Sequence, residues 1–241
     1  MQILIPISTR SAFFPEKDFY FPKPLIEIKG TPMINHVINN LSANISDPKY
    51  TFVVNRDDSQ KFSIGNALKI YLGEDTTVIE KLNETCGALC SSLLAIDHID
   101  HDQPLIISNS DQVLDDDISE KIKIFEENKY DAAVITFEST HPRWSYVMDD
   151  DDLVVQAFEK KVISRNAIAG FYYFRKASDF FDSAKKSILN NSSLDDLFYI
   201  SSTINEMILD NKIVGHSKIQ NDKYYSFYAP APIKNYEENF K

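Results

Sequence analysis

A chain of 241 residues, 43% of them apolar and 25% charged, is long enough for a packed domain and too apolar to stay disordered. Its formal charge of −11 repels nucleic-acid backbones and anionic membranes, so phosphate must be held locally, by a few Lys or Arg side chains and backbone N–H groups. The start, MQILIPISTR, has no basic region before a long apolar run, and no window reaches the ~20 apolar residues of a membrane span. With no disulfide framework either, a cytoplasmic protein is expected.

Residues 2–7 (QILIPI) form a continuous apolar run, the pattern of a strand buried on both faces. An irregular stretch from Ser8 to Pro24 follows, then a short strand over Leu25–Ile28, a turn at Lys29-Gly30, and a helix opened by Pro32. The alternation continues with a strand at Tyr50–Val54, a helix at 58–71, a strand at Thr76–Ile79 and a helix over Gly87–Ile99. Cys86 and Cys90, four apart on a helix, share one face, and both are expected to pack inward as small apolar residues. Pro104–Ile107 is the next buried strand, followed by a helix near 117–127 and a strand at Ala132–Phe137.

Such repeated strand–helix–strand units predict an α/β fold: a mixed, mostly parallel central sheet with helices on both faces. After residue 140 the rhythm changes. Strands at Trp144–Met148, Leu153–Phe158 and Ala169–Phe174 have few helices between them, then helices near 177–189 and 201–210 precede strands 213–219 and 224–228 and a short final helix. No repeat or linker divides the chain, so one domain of two lobes is expected, residues 1–140 and 141–241. The acidic runs 115–117 and 149–152 read as solvated turns, and four histidines (His36, His98, His101 and His216) have no ligand-like spacing.

Open α/β sheets bind ligands beyond the carboxyl ends of their strands. Two segments with the right chemistry fall there. The loop after the first strand carries Arg10 and Lys23, and Asn109-Ser110-Asp111-Gln112 directly follows the apolar run PLII. An aspartate in that place either holds Mg²⁺, which bridges phosphate oxygens, or caps the next turn. Arg143 and Trp144, in His141-Pro142-Arg143-Trp144, suit either the rim of an acceptor site or the core.

Read in order, IPI, FPKPLIEIKGTPMINHVI, ETCGALCSSLLAID, PLIISNSDQ and FEKKVISRNAIAGFYYF make the chain resemble the nucleoside-triphosphate:sugar-phosphate nucleotidylyltransferases. The likeness is to their glucose-1-phosphate thymidylyltransferase-like branch, which has the nucleotide-diphospho-sugar transferase (GT-A-like) fold. It runs from residue 2 to about residue 240. The resemblance implies a cytoplasmic, Mg²⁺-dependent transferase that moves a nucleoside monophosphate onto a sugar phosphate or similar metabolite for surface-polysaccharide precursors, with homo-oligomers open. Its partners would be a nucleoside triphosphate and that phosphorylated small molecule.

The same resemblance implies roles. Lys23 contacts the nucleotide phosphates and Asp111 binds the metal. Pro6, Ser8, Thr9 and Asn109 lie on the nucleotide side, and Gly87 opens the helix beside the base, where a side chain would obstruct it. Lys160 holds the acceptor phosphate, Glu159 a sugar hydroxyl, and Asn166 and Gly170 belong to the segment that closes over the sugar. The family's first loop is glycine-rich and ends in an arginine; here Thr9 and Ser11 replace glycines and Phe13 the arginine, leaving Arg10, three positions earlier, as a displaced substitute. A second metal aspartate, common near the C-terminus, is absent from Ser226-Phe227-Tyr228-Ala229-Pro230-Ala231. Two other readings compete. A GT-A glycosyltransferase would want a second carboxylate in Asp111-Gln112-Val113, and a non-catalytic binder is the reading that Phe13 favours.

Overall fold

The computed structural model describes residues 1–7, 13–15 and 17–239, so Ser8, Thr9, Arg10 and Ser11 lie outside the described residues. The first half of the chain alternates as expected. Strand β1 (Gln2–Pro6) is followed by a two-residue hairpin, β2 (Glu27–Ile28) and β3 (Thr31–Pro32), and by helix α1 (Met33–Asn44). Then come β4 (Lys49–Asn55), α2 (Arg56–Phe62), α3 (Ile64–Leu72), β5 (Thr77–Lys81) and α4 (Ala88–Leu93). Strands β6 (Leu105–Ser108) and β7 (Gln112–Leu114), helix α5 (Ile118–Glu127) and strand β8 (Ala132–Glu138) complete this half.

The second half supplies β9 (Ser145–Asp150), β10 (Leu153–Glu159), β11 (Asn166–Phe174), α6 (Ala177–Leu189), α7 (Ser202–Leu209), β12 (Val214–Lys218), β13 (Tyr224–Ser226) and α8 (Pro230–Asn239). One nine-stranded sheet runs through both halves in the order β5-β4-β1-β6-β11-β8-β12-β10-β9. Strands β5, β4, β1 and β6 are mutually parallel, β12 is parallel to β8, and β11 is the antiparallel strand between β6 and β8. The predicted mixed, mostly parallel sheet is present.

Alternation along each strand feeds two cores. Ile3, Ile5, Phe52, Val54 and Ile106 face the layer containing α1, α3 and α5, whereas Leu4, Val53, Leu105 and Ile107 face α4, α6 and α7. That is why these strands read as unbroken apolar runs: neither face meets water. A third cluster joins Phe14, Ile28 and Met33 to Val113, Phe227, Ile233 and Tyr236. It ties the segment after β1 to β7, β13 and α8.

Several expectations need correction. The helix expected at 58–71 is two, because Ser63 adopts a left-handed conformation (φ 55°) between α2 and α3. The helix expected over 87–99 is α4 plus a single 3₁₀ turn at Ile96–His98. Leu25 belongs to a 3₁₀ turn, Lys23–Leu25, rather than to a strand. Cys86 is exposed and Cys90 only half-buried, so neither is a core residue. In the acidic run at 149–152, Asp149 and Asp150 end β9 instead of forming a turn. Among the described residues no helix is long and apolar enough to cross a membrane.

Candidate active site

Pro6 ends β1, and its position explains how the sheet opens. Pairing of β1 with β6 stops at Leu4–Ile107, while pairing with β4 continues through Pro6–Val53 and the Ile7 N–H to the Val53 carbonyl at 2.8 Å. A proline has no N–H to offer a further ladder bond, so β1 and β6 separate at their carboxyl ends. A cleft of about 610 Å³ lies over the ends of β1 and β4, lined among others by Ile7, Asn55, Lys23, Tyr20, Phe21 and Phe62. Its size and its apolar walls with a few polar groups suit a small ligand.

Lys23, which lines this cleft, meets Asp111, 88 residues away in sequence. The ammonium donates a hydrogen bond to Asp111 Oδ2, and the two side chains are 16% and 20% exposed. A charge pair this little exposed has lost most of its hydration and is held together by charge-assisted hydrogen bonding. The Lys23 ammonium also lies 5.6 Å from the centre of the Phe14 ring. Beside Asp111, the Phe227 N–H donates to its carbonyl at 2.7 Å, and Ser226 pairs with Gln112. The C-terminal segment that lacks a carboxylate therefore does lie against Asp111.

Asn109 and Gly170 are also brought together. Gly170 has φ 62° at an irregularity in the β11–β8 pairing, and its carbonyl accepts from the Asn109 N–H at 2.9 Å and from Gln112 Nε2 at 2.9 Å. A Cβ on Gly170 would collide with both the Asn109 and Gln112 side chains. Gly170 thus holds the loop carrying Asp111 against β11. Gly87 also has no room for a side chain. With φ 98° it is strained for any other residue, and a Cβ there would strike the backbone of Phe198, whose carbonyl accepts from the Leu89 N–H at 3.1 Å. The Phe198 backbone is what excludes a side chain at Gly87 within the protein itself.

On the other side of the loop, Glu159 ends β10 opposite Ser145. The Ser145 hydroxyl donates to Glu159 Oε2, as does Ser201 Oγ at 2.9 Å. Burial pushes the Glu159 carboxyl above its usual range, against these two hydroxyls and the charge of Lys160, which pull it down. Tyr172, fully enclosed nearby, has its phenol pushed up by burial and by the charge of Glu159. Lys160 adopts φ 53°, and its ammonium donates to Tyr199 Oη at 2.8 Å. That bond first, and Glu159 less, raise the Lys160 pKa. The side chain is exposed and keeps its charge available.

Asn166 is hydrogen-bonded within the protein. It opens β11, and its amide donates to Asp149 Oδ1 at 2.6 Å, with Asp149 in turn 3.5 Å from His216 Nε2. Its amide is committed to this strand-edge network, not to the Glu159 carboxylate. Sequence reasoning missed Ser145, Ser201, Tyr172 and Tyr199, because only strand register and the approach of α7 bring them to Glu159. Trp144 packs among Phe137, Tyr224 and Tyr228, the core alternative for that residue.

Residues 17–170 match the family described as MobA-like NTP transferase domain, well over half of the chain. The chain belongs to this family. The match spans Lys23, Asp111, Glu159, Lys160 and Gly170. The chain is 27% identical over 197 residues to the bifunctional protein GlmU of Methanocaldococcus jannaschii, covering 80% of this chain and 43% of that one. It thus spans less than half the length of that curated relative. Among solved structures it resembles the nucleoside-diphosphate-sugar pyrophosphorylase from Vibrio cholerae RC9, with TM-score 0.86, 18% identity, and 98% and 100% of the two chains covered. A Bacillus anthracis protein assigned as a glucose-1-phosphate thymidylyltransferase follows at TM-score 0.76, 16% identity, and 98% and 94% coverage. The MobA-like domain therefore has the nucleotide-sugar transferase fold.

Proposed function

We propose that this NTP transferase domain moves a nucleoside monophosphate from a nucleoside triphosphate to a sugar phosphate or similar small phosphorylated metabolite, releasing pyrophosphate. The observation that carries the reading is the meeting of Lys23 with Asp111 at the parted ends of β1 and β6. In a protein of charge −11, this gathers a cation where a polyphosphate would otherwise be repelled. Across the Asn109–Gly170 contact, Glu159 and Lys160 offer a hydroxyl acceptor and a phosphate-binding ammonium for the second substrate.

In this reading an acceptor phosphate oxygen attacks the α-phosphorus of the triphosphate, a P–O bond forms, and the bond to the leaving pyrophosphate breaks. Little proton transfer is needed, so positioning and charge neutralisation supply most of the rate. Lys23 neutralises phosphate charge. Lys160, on the other side of Gly170, orients the acceptor phosphate, and Glu159 accepts from a sugar hydroxyl.

The donor set at Asp111 fits Mg²⁺ held mostly by phosphate oxygens and water. It offers one carboxylate that is 20% exposed, and among the described residues no group of three His, Cys, Asp or Glu forms a protein cage. Asp111 would hold the ion, and the bound ion would supply charge stabilisation to the phosphates. Two residues after Asp111 stands Val113, buried in an apolar cluster, which leaves no Asp-x-Asp pair for a glycosyltransferase reading. Thermal-shift screening against the four nucleoside triphosphates with Mg²⁺ tests the nucleotide half. A ligand bound only by the native state adds roughly 2.7 kcal/mol at a hundredfold excess over Kd. A stabilising triphosphate that also releases pyrophosphate with a sugar phosphate supports the proposal; no shift with any of the four counts against it.

A further inference from the structure

Resting on that reading, we propose that Arg143, from the loop between β8 and β9, binds the pyrophosphate end of the nucleoside triphosphate. The placement comes first. The Arg143 guanidinium carbon lies 3.8 Å from the centre of the Tyr228 ring and 5.9 Å from that of Phe13. Tyr228 directly follows Phe227, which is hydrogen-bonded to the Asp111 carbonyl. Phe13 directly precedes Phe14, over which the Lys23 ammonium sits. Arg143 and Lys23 therefore rest on consecutive aromatic residues of one segment, on the Asp111 side of the site.

Charge is the second argument. Among the described residues no carboxylate lies within ion-pair distance of Arg143, although the chain has 36 Asp and Glu residues to offer. Its partners are neutral: the backbone N–H and Nε both donate to His141 Nδ1, at 3.3 and 3.2 Å, and the guanidinium stacks on Tyr228. Nη1 is buried and has no hydrogen-bond partner. Leaving a buried donor unsatisfied is costly, and more so when it is charged. A cation that is oriented by stacking, unmatched by a carboxylate among the described residues and left with a spare N–H lacks only an anion.

The planar fork of a guanidinium presents parallel N–H donors to two phosphate oxygens, which an ammonium cannot do. The position assigns which phosphate. Arg143 belongs to the Lys23–Asp111 side, whereas the acceptor phosphate has Lys160. On this account Phe13 is a platform that steadies a guanidinium supplied from the other half of the chain.

The test is calorimetric binding of inorganic pyrophosphate with Mg²⁺ to the full chain. Wild type is compared with R143A, R143K and K123A, the last removing a distant exposed charge on α5. We expect R143A to weaken pyrophosphate binding at least tenfold, R143K to fall between, and K123A to match wild type. In turnover, KM for the triphosphate should rise in R143A while KM for the acceptor changes less than twofold. Pyrophosphate binding by R143A or R143K indistinguishable from wild type would overturn the proposal. So would a wild-type protein that binds no pyrophosphate, or a rise confined to the acceptor KM. Binding is read without turnover, so these failures are separate from a failure of nucleotidyl transfer, which would show as no pyrophosphate release from any triphosphate.

Discussion

Glu159 shows what the site costs the fold. Burial raises its carboxyl above the ordinary 4.5, so ionising it is harder in the native state than in the unfolded chain. The stability this group contributes is full below 4.5 and is lost as pH rises through the native value. Glu159→Gln should therefore be more stable than wild type in urea unfolding at pH 7, with the gap closing toward pH 4, while transfer activity falls at least tenfold. A variant that is less stable at neutral pH would mean that the bonds from Ser145 and Ser201 outweigh desolvation. Lys23 and Asp111 make the second case. Each alanine variant should lose roughly a hundredfold or more in turnover, the usual scale for removing charge stabilisation from a transition state. Because the two touch, the double variant should be little worse than either single one, and a multiplicative loss would show that they act separately.

Elements differ in how plainly the sequence announces them. Strands β1, β4, β6 and β8 are legible because both faces are buried and the runs are continuous. The break between α2 and α3 is not, since Ser63 is an ordinary residue that nothing in its own side chain marks for a left-handed conformation. Three-residue β7 and β13 are too short to carry a period, yet they bring the segment around Phe227 to Asp111. Gly170 shows how one position in an element governs the site. Gly30 has φ 76° with nothing within 4 Å of a Cβ, so Gly30→Ala should cost only the left-handed strain, about 1–2 kcal/mol. Gly170→Ala adds collision with Asn109 and Gln112, and should cost more in denaturant unfolding and also lower turnover. Equal losses in the two variants would show that the Asn109–Gln112 loop yields freely.

At the scale of the molecule, the proposed function assigns the nucleotide to the side built by parallel strands and the acceptor to the side delivered by antiparallel β11 and its neighbours. As candidates, Lys23, Asp111, Glu159 and Lys160 come from the order and spacing of segments that resemble a known family. Their partners were not: Ser145 reaches Glu159 by strand register, and Ser201 from α7's approach across 42 residues. The reason for Gly87, the direction of Asn166 and the place of Arg143 likewise exist only in three dimensions. The joining of the two sides is what the account claims, and product analysis tests it most directly. The chain is incubated with Mg²⁺, the stabilising triphosphate and a panel of sugar phosphates, and the products are resolved by mass spectrometry for wild type and Asp111→Ala. The account predicts a nucleoside-diphosphate sugar and an equal amount of pyrophosphate from wild type, with both reduced roughly a hundredfold or more in the variant. Wild type that binds the triphosphate yet forms no such product, or a variant that forms it at the wild-type rate, would contradict it.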